Sequence, residues 1–348
     1  MLHADAALYA ILKRVAFSRY LNPTNVTVAR HAFRAGSEAP PFEYAELLEA
    51  DPILRELDAT EPPRDHPAGV LVGECFDGAR RLVQALRDRT PAAFHLMNQA
   101  AGWYPTEGLL TQRHAAASQH PDPMDVSAEL MIAHFRDAIT ARELTGWVVE
   151  PDPVMSARVL VDGAKRMIRV RSNARFRTRD LDRLVVHELD VHARRSMNGR
   201  AQALRCFATG LPGSLATEEG LAMVAEEVSG TASPGVLQRQ LEVVRAIDHA
   251  RNAGFREVHD TLQDRVGPGL AWGISLRIKR GLLDPSKPGV YAKDSVYLAG
   301  RTQVHAWLEE GGNIAELYVG KVGLHHPVTE WMADGWVSTQ PVPALWAA

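Results

Sequence analysis

Hydrophobic and polar positions along the first 145 residues repeat with a helical period. The stretches "ARRLVQALRDR" (79–89) and "VSAELMIAHFRDAITAREL" (126–144) place apolar residues near i, i+3, i+4 and i+7, the spacing of an amphipathic helix. Pro- and Gly-rich joints separate such stretches at Leu21–Val26, Gly36–Tyr44 and Glu61–Gly69. The opening "MLHADAALYAILKRVAFSRYL" also reads as an amphipathic helix, because Lys13 and Arg14 break its apolar run too early for a signal peptide. The pattern changes near Gly146. "ARVLVDG" and "RMIRVRS" are short, β-branched and partly alternating, with Asp162-Gly163 between them, which predicts a hairpin. Directly after it, "TRDLDRLVVHELDVHARRSMNG" predicts one helix, starting at a capping-type Thr178 and stopping near Asn198-Gly199. Helical periodicity then returns in "TEEGLAMVAEEVSG", "GVLQRQLEVVRAIDHARNAGF" and "DSVYLAGRTQVHAWLEEGG", and "STQPVPALWAA" reads as a loose tail. The expected fold is α+β: mostly helical, with a small β-sheet beside one chemically distinctive helix. The expected division is a helical region over 1–145 packed on a second region over 146–348.

Composition narrows the class without naming a function. The chain has 348 residues, 46% of them hydrophobic and 23% charged, and a formal net charge of -3. This is globular composition without the basic footprint of a nucleic-acid binder. No apolar run reaches the roughly 18 residues of a membrane helix. Two cysteines, Cys75 and Cys206, make neither a disulfide framework nor a CxxC clip, so a cytoplasmic chain is expected.

The distinctive helix carries "LVVHELDVHARR" (184–195), in which His187-Glu188 is followed after three residues by His192. Positions five apart on a regular α-helix differ by about 500°, leaving the two side chains about 140° apart. A shared metal therefore requires local widening toward a π-helix, a feature frequent at functional sites. A catalytic zinc site normally has three protein ligands and one position open to water. Downstream, Glu218-Glu219 opens a predicted helix, and Glu219, 27 residues beyond His192, can return beside the first helix. The same pair also fits an ordinary acidic first turn facing a helix dipole.

The text "HELDVHARRSMNGRAQALRCFATGLPGSLATEEGLA" (187–222) resembles the tyrosine/phenylalanine carboxypeptidase domain family, the QEGLA-motif proteins, which includes microtubule-associated tyrosine carboxypeptidases that act on tubulin. Further segments similar to the family are "YLNPTN", "GLPG", "RIKRGL", "AKDSVYLAG" and "VGKVGL", so the resemblance covers most of the chain. It implies a zinc metallopeptidase with His187, His192 and Glu219 as ligands and Glu188 as general base. The implied substrate is a peptide or peptide-like molecule with a free, aromatic C-terminus, and neither nucleic acid nor membrane is expected as a partner. Two departures stand out: Asp190-Val191 where many members carry Gly-Thr, and Glu218 where the tag has Gln. Both add negative charge near the expected metal, and tubulin activity does not transfer with the motif.

A carboxypeptidase also needs a cation for the terminal carboxylate. Lys293 and Arg280 rank first because they lie in resembling segments, with Arg195 next, three residues past His192; Arg277 and Lys279 are further bases of the same stretch. Tyr297 and Tyr291 are candidate phenolic donors near Lys293, whereas His305, His325 and His326 read as structural. Two other readings remain open: a zinc amidase or endopeptidase of a biosynthetic pathway, and a non-catalytic zinc-containing regulatory protein. In metallopeptidases a strand beside the motif helix receives substrate by strand addition, which the hairpin-then-helix order accommodates.

Overall fold

The computed structural model describes residues 1–15, 17–60, 62, 64–113, 123–153, 155 and 157–347. Positions 61 and 63 of the expected Glu61–Gly69 loop lie outside the described residues. The architecture is α+β, mainly helical with two small sheets. Among the described residues no helix is long and apolar enough to cross a membrane.

The chain divides into two compact units, each discontinuous in sequence. One comprises His3–Ala115 and Leu237–Ala299; the other comprises Ala116–Val236 and Gly300–Ala348. The first unit contains the long helices Pro67–Asp88 and Pro91–Ala100, both entered through a proline in the first turn where its missing N–H is harmless. An aromatic core of Phe33, Phe42, Phe255 and Trp272 lies in the same unit.

The second unit carries the distinctive motif. The two-residue strands β1 (Val126–Ser127) and β5 (Arg175–Phe176) pair antiparallel. The main sheet has the order β2–β4–β3, with β2 (Val148–Asp152) parallel and β3 (Val159–Asp162) antiparallel to β4 (Met167–Arg171). The expected hairpin is therefore β3–β4, with Asp162 opposite Met167 across the turn. The sheet leaves β3 as an edge strand. Ser127 caps the helix Ala128–Ala141, its hydroxyl accepting the Leu130 N–H, and Met131, Phe135 and Ala138 from that helix meet Ile168 and Val170 of β4 in the core. The motif helix closes the same core through Leu184, Val185, Leu189 and Ala193. The period-2 face of β4 and the widened face of the motif helix thus bury one shared apolar cluster, which fixes which side of the helix turns away from the sheet.

The helix after the motif spans Ser214–Val228 and starts at Gly213, whose φ of +72° suits glycine. Gly220 sits where this helix crosses Val296–Glu309: a Cβ there would lie 2.1 Å from the Gly300 carbonyl carbon, and one on Gly300 would lie 1.7 Å from the Ala216 oxygen. Backbone meets backbone at that crossing, so the glycine following Glu219 is a packing requirement.

The C-terminal stretch is not the loose tail its composition suggests. Asn198 donates to the carbonyls of Tyr318 and Pro341, Gln202 donates to those of Val319 and Ser338, and Trp346 Nε1 donates to the Tyr318 hydroxyl at 2.9 Å. Side-chain amides of the motif helix and its exit supply the partners that a Pro-rich segment cannot find in itself.

Candidate metal centre

The motif helix runs without a break from Asp180 to Arg200, and its middle nine residues, Val185–Ala193, are π-helical. It begins one residue later than a Thr178 cap suggests, and Arg179 occupies the cap position without a side-chain capping bond. The π winding takes about 4.4 residues per turn, which closes the gap that an α-helix would leave between positions five apart. The imidazoles of His187 and His192 accordingly meet, their ring centroids 4.8 Å apart at 80°.

Glu219 reaches the same point from the helix Ser214–Val228. Its Oε2 lies 3.7 Å from His187 Nε2 and 3.5 Å from His192 Nε2. One ligand atom from each of the three residues falls within 4.8 Å of the other two. Ligands about 2.0–2.1 Å from a tetrahedral ion stand roughly 3.3 Å from one another, close to the two separations of Glu219 from the imidazoles, so the donor set suits zinc. Because the helix starts at Ser214, Glu218 and Glu219 lie in its second turn and not its first. The role of dipole partner is thereby removed from the pair.

Both imidazoles are oriented from behind. His187 Nδ1 is 2.8 Å from Glu226 Oε1, and His192 Nδ1 is 2.8 Å from Glu218 Oε1. These carboxylates fix the tautomer that presents Nε2 to the shared point, the arrangement usual for ligating histidines. Each is itself held. Arg183 Nη1 donates to Glu226 at 2.9 Å and the same guanidinium bonds Asp180, which also pairs with Arg158 at 3.1 Å. Glu218 receives Arg195 on Oε2 and Lys321 Nζ on Oε1 at 3.0 Å. Burial alone would raise the Glu218 carboxyl, but Lys321, Arg195 and His192 outweigh it and hold the group ionised well below the usual carboxylate range. Burial likewise disfavours the charged form of His187, yet the carboxylates of Glu219 and Glu226 prevail and raise it to about 10. His192 is raised in the same way, burial being outweighed by Glu218 and Glu219. A dication at the shared point would replace those protons.

Glu188 lies on the π-helical segment next to His187, partly exposed, while its neighbours on either side are buried. Its negative charge acts on His187. Asp190 behaves differently from the sequence expectation. Its carboxylate turns to Arg142, which grips it with Nε at 2.6 Å and Nη2 at 3.0 Å, so its charge is spent at the end of Ala128–Ala141.

The candidate substrate residues separate. Arg195 is fully buried, and its guanidinium donates to the carbonyls of Leu317, Gly320 and Val322 and to Glu218. A substrate carboxylate has no access to it, and its charge serves Glu218. Lys293, Arg280 and Tyr297 belong to the other compact unit. There Arg280 donates to Asn22 and stacks over Tyr291, and Lys279 is buried against three backbone carbonyls. Arg277 grips Asp294 with two nitrogens. Tyr291 is buried among Phe17, Phe94 and Trp103. His305 bonds Glu227 and His326 accepts the Gly323 N–H.

Sequence reasoning did not single out Glu226, Arg183 or Lys321. Glu226 had a signal: seven residues after Glu219 is about 700°, so both fall on one helical face. Lys321 had none beyond its place in "VGKVGL".

A family model described as microtubule-associated tyrosine carboxypeptidase matches residues 37–347. Among curated proteins, microtubule-associated tyrosine carboxypeptidase 1 of mouse is 33% identical over 125 residues, 34% of this chain and 26% of the relative. The human protein of the same name is 32% identical over 129 residues, 36% of this chain and 27% of the relative. The matched segment thus spans about a quarter of the relatives' length.

Proposed function

The chain belongs to the microtubule-associated tyrosine carboxypeptidase family, and on that premise we propose that it is a zinc-dependent carboxypeptidase removing a C-terminal aromatic residue from a peptide or peptide-like substrate. The observation that carries the reading is the convergence of His187, His192 and Glu219 on one point, with Glu188 on the same π-helical segment. Two histidines and one carboxylate are three ligands, the number that leaves a position open for water, whereas structural zinc is usually closed by four. When bound, the ion's contribution is Lewis acidity, which activates water and polarises the scissile carbonyl.

The rest is work for the chain's own side chains. Glu188, partly exposed, takes the proton of the attacking water and returns it to the departing amine, which calls for a carboxylate that is not itself a ligand. Glu226 and Glu218 keep both imidazoles turned so that their Nε2 atoms stay on the metal side. β3, at the sheet edge and packed on the motif helix, offers backbone donors and acceptors to an extended peptide. Lys293 and Arg280, with Tyr297, keep their proposed substrate-binding roles on the strength of the segments that carry them, and Arg195 does not.

Zinc-loaded protein incubated with peptides of varied C-terminus, read by mass spectrometry, tests the reading. Loss of a single terminal Tyr or Phe, abolished when the terminus is an amide, is the expected result. Equal turnover of free and amidated peptides would favour an amidase or endopeptidase. Zinc uptake without hydrolysis of any peptide would favour a binding protein.

A further inference from the structure

Glu218 stands out within the cluster because one carboxylate carries three partners of positive or donor character. Its Oε1 faces both His192 Nδ1 at 2.8 Å and Lys321 Nζ at 3.0 Å, and its Oε2 takes Arg195. The two cations are not equivalent. Arg195 is fully buried and also tied to three carbonyls of 317–322, so its position is set by the fold whether or not Glu218 is charged. The Lys321 side chain is 19% exposed, and it shares with His192 the one oxygen that orients the imidazole.

Lys321 is delivered there with little freedom. Its backbone N–H donates to the Phe207 carbonyl at 2.7 Å and its carbonyl accepts from the Leu211 N–H at 3.0 Å. Leu324 N–H then donates to the Thr217 hydroxyl at 3.0 Å, fastening the segment to the helix that carries Glu218 and Glu219. The ammonium is thus brought by a loop pinned on both sides to the back of a metal ligand.

We propose that Lys321 is a positioning residue for the metal centre, acting solely through Glu218: it fixes the Glu218 oxygen that orients His192, and so sets how tightly the site holds its ion. The proposal rests on the zinc reading of the site. A carboxylate oxygen held by one donor can rotate about its terminal torsion, whereas one held between an ammonium and an imidazole N–H is confined to the line that satisfies both. The charge partner of the Lys321 ammonium is Glu218, at 3.0 Å.

Lys321→Met strands no buried charge, because Arg195 still compensates Glu218. Metal-free Lys321→Met should therefore melt close to the wild type, while its zinc dissociation constant, measured by competition with a chromophoric chelator, rises by about tenfold, the lower end of what loss of an outer-shell partner costs. Glu218→Gln should weaken zinc by up to about 100-fold. The double variant should be no weaker than Glu218→Gln alone, since Lys321 then has nothing to act through. A Lys321→Met constant within twofold of wild type would overturn the proposal, as would a full Lys321→Met loss persisting on the Glu218→Gln background. Should Glu218→Gln fail to fold, the comparison of Lys321→Met with wild type decides alone. Wild-type protein that takes up no zinc would overturn the zinc reading and this proposal together, whereas zinc-binding wild type beside an unaffected Lys321→Met would overturn this proposal only.

Discussion

Glu226 accepts a hydrogen bond from His187 Nδ1 at 2.8 Å while standing seven residues after Glu219, whose own carboxylate faces the other nitrogen of the same ring. One helical face thereby touches both edges of one imidazole, two turns apart. The ring is clamped along its length, and a rotation of either helix would break one of the two contacts.

Glu226→Gln tests this clamp. The amide oxygen can still accept from His187, but Arg183 loses the charge it meets at 2.9 Å. Zinc affinity should fall by about 10- to 100-fold. Thermal melts should also drop, because Arg183 is nine-tenths buried and, of its two carboxylate partners among the described residues, retains Asp180. Unchanged chelator competition would show that His187 is oriented by packing instead.

The proton load of the metal-free protein gives a pH signature. His187 is held at about 10 by Glu219 and Glu226 against a reference near 6.5. A folded value above the unfolded one stabilises the metal-free protein fully below pH 6.5, and that contribution disappears as pH climbs toward 10. In chelator, melting temperature should therefore decline from pH 7 to 10. Zinc must displace protons from His187 and His192, so affinity should rise with pH over the same window, and calorimetry in buffers of different ionisation enthalpy should report proton release. Zinc binding with no buffer dependence would contradict protonated imidazoles in the metal-free protein.

Asp190 occupies the interior of the motif without serving the metal. Its two bonds to Arg142 predict that Asp190→Ala costs roughly 2 kcal/mol in chemical denaturation, while zinc stoichiometry stays at the wild-type value. A variant that folds normally but binds no zinc would place Asp190 in the site after all.

Much of this arrangement was legible beforehand, and what was not has a physical reason. The three-residue gap between Glu188 and His192 demanded a widened helix, since no α-helix turns those rings together, and the π segment Val185–Ala193 is that widening. The β3–β4 hairpin followed from alternation around Asp162-Gly163. The start of the second helix was misplaced because Ser214-Leu215-Ala216 carries no capping signal beyond Gly213, and the shift of one turn changes Glu218 from a dipole partner into a buried partner of His192. Arg195, three residues past a ligand, is a candidate for the substrate carboxylate by sequence; its pairing with the carbonyls of Leu317, Gly320 and Val322 is long-range, and no local period encodes it. The discontinuous units are equally a property of tertiary contact, with the chain leaving the site-bearing unit at Val236 and returning at Gly300.

Glu188→Gln separates binding from chemistry. Glu188 directly follows a ligand, is partly exposed where its neighbours are buried, and is absent from the converging trio. Its amide should keep the fold and the zinc, because no ligand atom and no outer carboxylate is altered. What it loses is the base: turnover of the best peptide should fall by about 10²–10⁴, the usual worth of a positioned proton acceptor, with substrate affinity little changed. The contrast with Glu219→Ala is the informative one, since that variant should lose zinc and turnover together. Near wild-type hydrolysis by Glu188→Gln would remove the proposed base, and with it the argument that three ligands plus a neighbouring carboxylate make this a catalytic rather than a structural metal site.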